Sequence, residues 1–243
     1  MHLRLPCNFV HMKDVVSLPW TELEQQLNAQ GYAHIAGLVS EAECNELIPQ
    51  YSSVSLYRNT INMERYRFGK GEYKYFNYPL LPQIARLRKD FYPPLAKLAN
   101  QWSEALDLGF RYPDSHEAFL EACRKAGQVR PTPLILKYET GGYNTLHQDL
   151  YGEVYFPFQV LFVLSDQGKD FEGGEFVMTE QLPRAQSRAH VIHPQQGDAI
   201  IFTTNFRPVE GSRGFYKSRM KHGVSTITKG NRSALGIIFH DAA

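Results

Sequence analysis

Leu146-His147-Gln148-Asp149-Leu150-Tyr151-Gly152 decides how this chain is read, because a second histidine, His222, follows 73 residues after Asp149 and Arg232 stands ten residues beyond it. Successive side chains on a strand point to opposite faces, so an H-x-D triplet on a strand sends His147 and Asp149 into one interior and Gln148 away from it. Lys217 to Ile227, which carries His222, is patterned as a later strand. Gly230-Asn231 marks a turn after it, and Arg232 opens the last strand, Arg232 to Phe239. Two imidazoles and one carboxylate on one side of Fe(II) leave three coordination positions open, enough for an organic acid and O2 together. A closed four-ligand site lacks that room. The Arg232 guanidinium is permanently charged and forks onto a carboxylate, which suits the distal carboxylate of a chelating keto acid.

Around this motif the chain changes character once, near residue 130. Trp20 to Gln30 is amphipathic, with Leu23 and Leu27 at helical spacing, and Tyr32 to Leu38 alternates like a strand. Ser40-x-x-Glu43 is a capping box that opens a helix running to about Pro49. Gln83 to Phe91 and Leu95 to Leu106 read as helices broken at Pro93-Pro94, where the ring removes the backbone donor. Ser115 to Ala126 reads as a further helix. Beyond residue 130, short β-branched and aromatic runs are separated by glycine turns. The pattern predicts an α+β fold in a single domain over 1–243, with a mainly helical flank and lid over 1–130 and a β core over 131–243. No G-x-G-x-x-G, phosphate-loop or G-x-S-x-G motif occurs, so dinucleotide, phosphate-loop and serine-hydrolase chemistries have no foothold.

Composition sets outer limits. A chain of 243 residues, 43% hydrophobic and 21% charged, has enough apolar material for a well-buried core. Lys plus Arg number 26 against 25 for Asp plus Glu, a net charge of +1 that gives no general attraction to nucleic acid or anionic membrane. Such a partner would need a local patch. Three cysteines, Cys7, Cys44 and Cys123, are few, odd in number and unpaired by spacing, which fits a reducing compartment. The expectation is cytoplasmic, with no basic-then-apolar leader and no membrane-spanning run of about 18 apolar residues.

In motif order and strand pattern, residues 132–241 resemble the 2-oxoglutarate- and Fe(II)-dependent oxygenases, in particular the prolyl-4-hydroxylase-like branch. Leu136-Lys137-Tyr138-Glu139-Thr140-Gly141-Gly142 leads into His147 as a tyrosine-plus-glycine segment does in prolyl-hydroxylase-like and AlkB-like enzymes. Phe171-Glu172-Gly173-Gly174-Glu175-Phe176-Val177 resembles the Gly-Gly-Glu turn of that branch, and His193 to Phe202 its next hairpin. Gly71-Glu72-Tyr73-Lys74-Tyr75-Phe76 and Leu235-Gly236-Ile237-Ile238-Phe239-His240-Asp241 are phrases of a bacterial family of oxygenases of damaged nucleic acid, which the chain resembles over nearly its whole length. Where the AlkB demethylases carry asparagine, proline and a second arginine, this chain has Leu136, Thr140 and Ile238.

The resemblance implies a double-stranded β-helix, or jelly-roll, core with flanking N-terminal helices. It implies Fe(II) held by His147, Asp149 and His222, and 2-oxoglutarate held by Arg232 with Tyr138 as hydroxyl donor. O2 is then consumed in a hydroxylation or oxidative demethylation coupled to decarboxylation of 2-oxoglutarate.

Other features keep two readings. His190, His193 and His240 lie outside the motif and read as strand or surface histidines, and Glu175 reads as a hydrogen-bonding turn residue rather than a base. Tyr57 to Tyr78 carries five cations among seven aromatics and two acids. It suits a single-stranded nucleic acid, a lid over a small or peptide substrate, or a solvated hairpin covering the barrel. Arg207 to Gly214 reads as a mobile rim loop of the site. Beside the oxygenase stands a different class: a non-catalytic metal- or ligand-binding barrel acting as a sensor or binding module.

Overall fold

Every residue of β7 (Phe158–Val163) is buried, because the two faces of this strand meet different layers. Phe158, Val160 and Phe162 pack outward on a helical layer, whereas Leu161 joins Phe176, Met178, Ile200, Phe202 and Met220 inside a barrel. That is the two-residue period a strand imposes. The computed structural model describes residues 14–150 and 152–243, so Cys7 and Tyr151 fall outside the described residues.

Among the described residues, eight antiparallel strands form the barrel. The major sheet has the order β11 (Ala199–Thr203), β7, β14 (Ile227–Ile238), β5 (Leu134–Glu139). The minor sheet has the order β10 (Arg188–Ile192), β9 (Phe176–Gln181), β13 (Gly214–Val224), β6 (Tyr143–His147). The chain passes repeatedly between the two sheets, which makes the core a double-stranded β-helix of jelly-roll type. Shorter strands extend it. β1 (Tyr32–Ile35) lies beyond β11, β4 (Glu72–Phe76) and β2 (Tyr57–Asn62) beyond β5, and β3 (Gly69–Lys70) beyond β6. β8 (Phe171–Gly173) pairs with the start of β14, and β12 (Phe206–Gly211) with β13. β2 and β4 pair with each other, as two of the readings of Tyr57 to Tyr78 expect of a hairpin.

The helices of the front half are α1 (Trp20–Gln30), α2 (Glu41–Leu47), α3 (Met63–Tyr66), α4 (Pro82–Ala105) and α5 (His116–Lys125). The capping box of α2 is present, with Glu43 N–H donating to Ser40 Oγ at 3.3 Å and Ser40 N–H to Glu43 Oε2 at 2.9 Å. One expectation is corrected: α4 runs unbroken for 24 residues through Pro93 and Pro94. Pro93 is exposed and Pro94 half-buried, while Phe91, Tyr92, Leu95 and Ala96 are buried, so the helix keeps its packing although each ring removes one backbone donor. This helix covers the outer face of the major sheet, with Phe91 edge-on to Phe162 and Trp102 against Phe158.

Buried Arg88 of α4 ties the chain end to this layer. It donates to the Ile238 and Phe239 carbonyls at 2.8 Å each and to Asp241 Oδ1 at 2.6 Å. Two histidines share this region. His116 meets the Phe239 carbonyl at 2.9 Å, and His240 Nδ1 accepts from Phe156 N–H at 3.2 Å. Burial, with Arg88 nearby, pushes His116 down to about 3 and His240 down to about 4. Both therefore take up protons more readily in the unfolded chain, whose histidines titrate near 6.5. Their neutral forms support the fold above about pH 6.5, and that support is lost as the pH falls toward the folded values. Urea unfolding at pH 7 and pH 5 should show stability lower by about 2 kcal/mol per histidine at the lower pH. A constant midpoint would mean that both rings take protons in the folded state.

Candidate metal centre

β6 ends at His147, which stands directly opposite His222 of β13 across the ladder. Opposed residues on antiparallel strands share a face, so the register itself brings the two imidazoles together, with ring centroids 4.3 Å apart. Asp149 corrects the sequence reading. It is not on the strand but on the loop that follows, and it turns back toward both rings. Gln148 holds the chain off the ladder, its amide donating to the Asn205 carbonyl at 2.8 Å, Asn205 Oδ1 at 3.0 Å and the Met220 carbonyl at 2.9 Å.

His147 Nε2 lies 3.5 Å from Asp149 Oδ1 and His222 Nε2 lies 3.4 Å from Asp149 Oδ2. The three ligand atoms all fall within 4.8 Å of one another, the one such grouping among the described residues. His147 Nδ1 sits 2.7 Å from the Thr145 carbonyl. A carbonyl can only accept, so Nδ1 carries the proton and Nε2 presents its lone pair to the cluster. His222 is packed against Phe202 and Phe176 at 4.6 and 6.1 Å, and burial with His147 beside it lowers its pKa. It is neutral near pH 7 and available as a ligand. Burial opposes ionisation of Asp149, but the two rings and a 2.8 Å hydrogen bond from Gln159 Nε2 outweigh it and hold the carboxyl well below the usual range.

Arg232 stands opposite Tyr138 across the β14–β5 ladder, and the two are 1% and 0% exposed. The guanidinium carbon lies 5.8 Å from the centre of the Tyr138 ring and 5.9 Å from that of Phe171. Its Nε and Nη2 have no hydrogen-bond partner among the described residues, nor does the Tyr138 hydroxyl. The Asn144 side chain is near enough to bear on the acidity of Tyr138 but forms no bond that satisfies it. Burial pushes that hydroxyl up to about 12, with Arg232 partly offsetting it, so it stays protonated and able to donate. Unpaired donors on a buried cation are costly, and they fit an anion of carboxylate shape.

The Gly-Gly-Glu turn packs over this pair. Gly174 has φ +65°, and a Cβ there would run into Ile227 and meet Arg232 Cδ at 3.0 Å. Glu175 accepts a hydrogen bond from the Ser225 hydroxyl and donates from its N–H to Ser225 Oγ at 2.9 Å, the role read for it. The expected turn at Gly230-Asn231 is corrected. β14 has already begun at Ile227, and Gly230, at φ +81°, is where it leaves β8 for β5, so Arg232 is interior to the strand.

Both groups line one cavity of about 400 Å³. Its outer wall is Phe68, Tyr73 and Tyr75 from the front half. Tyr57 to Tyr78 is therefore a hairpin whose aromatic face covers the barrel. Two of its cations are structural. Arg58 Nε donates to the Pro131 carbonyl at 2.8 Å, and Lys74 lies 4.1 Å over the Tyr51 ring. The rim-loop expectation for Arg207 to Gly214 is also corrected, because these residues form β12 and the turn into β13, and none lines the cavity. That turn is about 26 Å along β13 from His222 at about 3.3 Å per residue. His190 sits instead beside Glu180, at 3.8 Å.

A family model described as "Oxygenase, catalysing oxidative methylation of damaged DNA" matches residues 71–242. The chain belongs to this family of oxygenases. It is 49% identical over 168 residues to an uncharacterised protein of Mycobacterium tuberculosis, covering 69% of this chain and 72% of that one. A 2-oxoglutarate-Fe(II) oxygenase-family oxidoreductase from Burkholderia pseudomallei superposes with a TM-score of 0.55 at 15% identity, over 93% of this chain and 94% of that one. A prolyl-4-hydroxylase from Pseudomonas putida gives 0.51 at 12% identity, over 92% and 99%. At such identities the likeness speaks for the jelly-roll fold. Family membership makes the chain an oxygenase, and its fold and His-Asp-His group fit Fe(II), 2-oxoglutarate and O2. Gln159, which steadies Asp149, escaped the sequence reading, and Tyr73 and Tyr75, within the segment read as a lid or covering hairpin, were not singled out. The signal for the tyrosines was their i, i+2 spacing in Gly71 to Phe76, which places both on the barrel face of β4.

Proposed function

We propose that this oxygenase is a 2-oxoglutarate- and Fe(II)-dependent dioxygenase in which His147, Asp149 and His222 hold the metal. Arg232 and Tyr138 receive the far carboxylate of 2-oxoglutarate. The observation that carries the assignment is the pairing of a three-ligand group with a buried, unpartnered Arg232 and Tyr138 on the wall of one cavity. When bound, metal and co-substrate couple oxidative decarboxylation to oxygen insertion into a C–H bond. The chain supplies orientation: Thr145 and Gln159 set His147 and Asp149, and the β14–β5 register sets Arg232 beside Tyr138. Phe68, Tyr73 and Tyr75 exclude water and present ring faces to whatever enters.

The family description favours a damaged base as substrate, and a cavity of about 400 Å³ walled by aromatic rings suits one base turned out of its stack. Hydroxylation of a nitrogen-bound methyl group would release formaldehyde, giving oxidative demethylation. The test is anaerobic titration of metal-free protein with Fe(II) and 2-oxoglutarate, then admission of O2 and assay of succinate. A weak visible absorption band on chelation, followed by slow succinate without substrate, is the expected result. Failure to bind Fe(II) would replace this reading with a binding or sensor barrel.

A further inference from the structure

The outer face of the minor sheet carries a stripe of cations that the metal site does not use. Phe215, Lys217, Arg219 and Lys221 alternate along β13, each exposed, while Ser218, Met220 and His222 point into the barrel. Successive cations are therefore about 6.8 Å apart, two strand residues. Lys217 rests 4.8 Å over the Phe206 ring. Among the described residues, neither Arg219 nor Lys221 pairs with an acid, unlike such surface cations as Arg86, Arg124 and Lys229, which pair with Asp90, Glu121 and Glu172.

The neighbouring outward positions do not neutralise the stripe. Lys221 and Arg219 lie beside Thr179 and Gln181 of β9, and Val177 and Thr179 lie beside Val191 and Ala189 of β10, all uncharged. Glu180, in register with Met220, faces inward and takes the Ser218 hydroxyl, so the nearest outward acid in register is Glu210, opposite Phe215 at the far end. At its other end the stripe reaches Lys221, next to the ligand His222. Across β6, with exposed Leu146 and Tyr143, comes β3, where Lys70, the register partner of Tyr143, carries its ammonium beside Gly141 and within reach of the Glu139 charge rather than along the stripe. There the chain turns over the cavity rim through exposed Arg65, Tyr66, Arg67 and Phe68. The Tyr66 and Phe68 rings stack on each other, 5.5 Å apart at 18°, and Phe68 lines the cavity.

We infer that this face is a track for a single-stranded nucleic acid. Lys217, Arg219 and Lys221 take successive phosphates, and Tyr66 and Phe68 stack the bases beside the one entering the cavity. The inference rests on the nucleic-acid reading of the site. Cations at strand spacing hold a phosphate backbone without reading sequence, and exposed ring faces accept unpaired bases of any kind. A net charge of +1 gives no general attraction, so affinity for a polyanion must come from such a local track. A duplex keeps its bases stacked and cannot use Tyr66 and Phe68.

The experiment is fluorescence anisotropy of a labelled thymidine single strand of about 12 nucleotides across a salt series, with uncoupled succinate formation measured on the same samples. The triple variant K217Q/R219Q/K221Q is expected to lose about a hundredfold in affinity at about 0.1 M salt, and about 2 units of the logarithmic salt slope. Each single substitution should remove about 0.7 unit of slope, which keeps the test readable if the triple variant fails to fold. Succinate formation should be unchanged, and the variant K89Q/K97Q on α4, behind the opposite sheet, should bind as the native chain does. Undiminished affinity and slope in the triple variant would overturn the track, as would an equal loss in K89Q/K97Q or a duplex bound as tightly as the single strand. A native chain that makes succinate but binds no strand would sink the track and leave the oxygenase assignment standing. Absence of succinate from the native chain would instead strike at that assignment.

Discussion

His147→Ala is expected to bring succinate formation to background while leaving the melting temperature nearly unchanged. His147 is partly exposed at the end of β6 and contributes no side chain to the apolar clusters, so its loss leaves the barrel intact. Losing a hydrogen-bonding partner of a metal ligand typically costs about 10- to 100-fold in metal affinity, so losing the ligand itself should cost more than about 100-fold. Gln159→Leu provides the graded comparison, because it removes only the 2.8 Å hydrogen bond to Asp149 Oδ2. It should fall in that 10- to 100-fold range. Calorimetric titration with Fe(II) under nitrogen reads both. Native metal affinity in H147A would remove His147 from the ligand set.

Arg232→Met is expected to act in opposite directions on two measurements. The side chain is fully buried with two donor atoms unpartnered and only the Glu175 charge nearby, so the protein without co-substrate bears a poorly compensated charge. An apolar group of similar length should leave its melting temperature equal or higher. Binding of 2-oxoglutarate should weaken by about 3–4 kcal/mol, roughly 100- to 1,000-fold, the usual cost of removing one partner of a buried charge pair. Tyr138→Phe removes only a hydroxyl and should cost about 1 kcal/mol. The KM for 2-oxoglutarate from succinate production, set against thermal melts, separates the cases. A lower melting temperature with unchanged KM would mean that Arg232 is a structural residue.

The candidate site was legible in the sequence because its chemistry needs particular side chains in a particular order. His147, Asp149, His222 and Arg232 were named from motif order and Tyr138 from the family resemblance, and the structure gathers them on one cavity. The strands of the core were legible for a similar reason, since Phe158 to Val163 and Ala199 to Thr203 are too apolar for anything but a doubly covered strand. Elements judged by local rules alone fared less well. Pro93-Pro94 looked like a break, but burial of the far side of α4 outweighs two lost hydrogen bonds. Arg207 to Gly214 looked like a loop because of its glycines, but the ladder with β13 continues through it.

The sequence by itself determined which residues are the candidates for a metal and an acid, and that a β core follows a largely helical flank. Those properties reside in side-chain chemistry and in short periodicities, which survive without coordinates. Only the tertiary structure decided that His147 meets His222 through strand register, that Arg232 faces Tyr138, and that Tyr73 and Tyr75 wall the cavity. The same is true of the unneutralised cations on β13. Their number is visible in the chain, but whether an acid stands beside them depends on which strands become neighbours, and β9, the neighbour that flanks them, lies 38 to 48 residues back in the sequence.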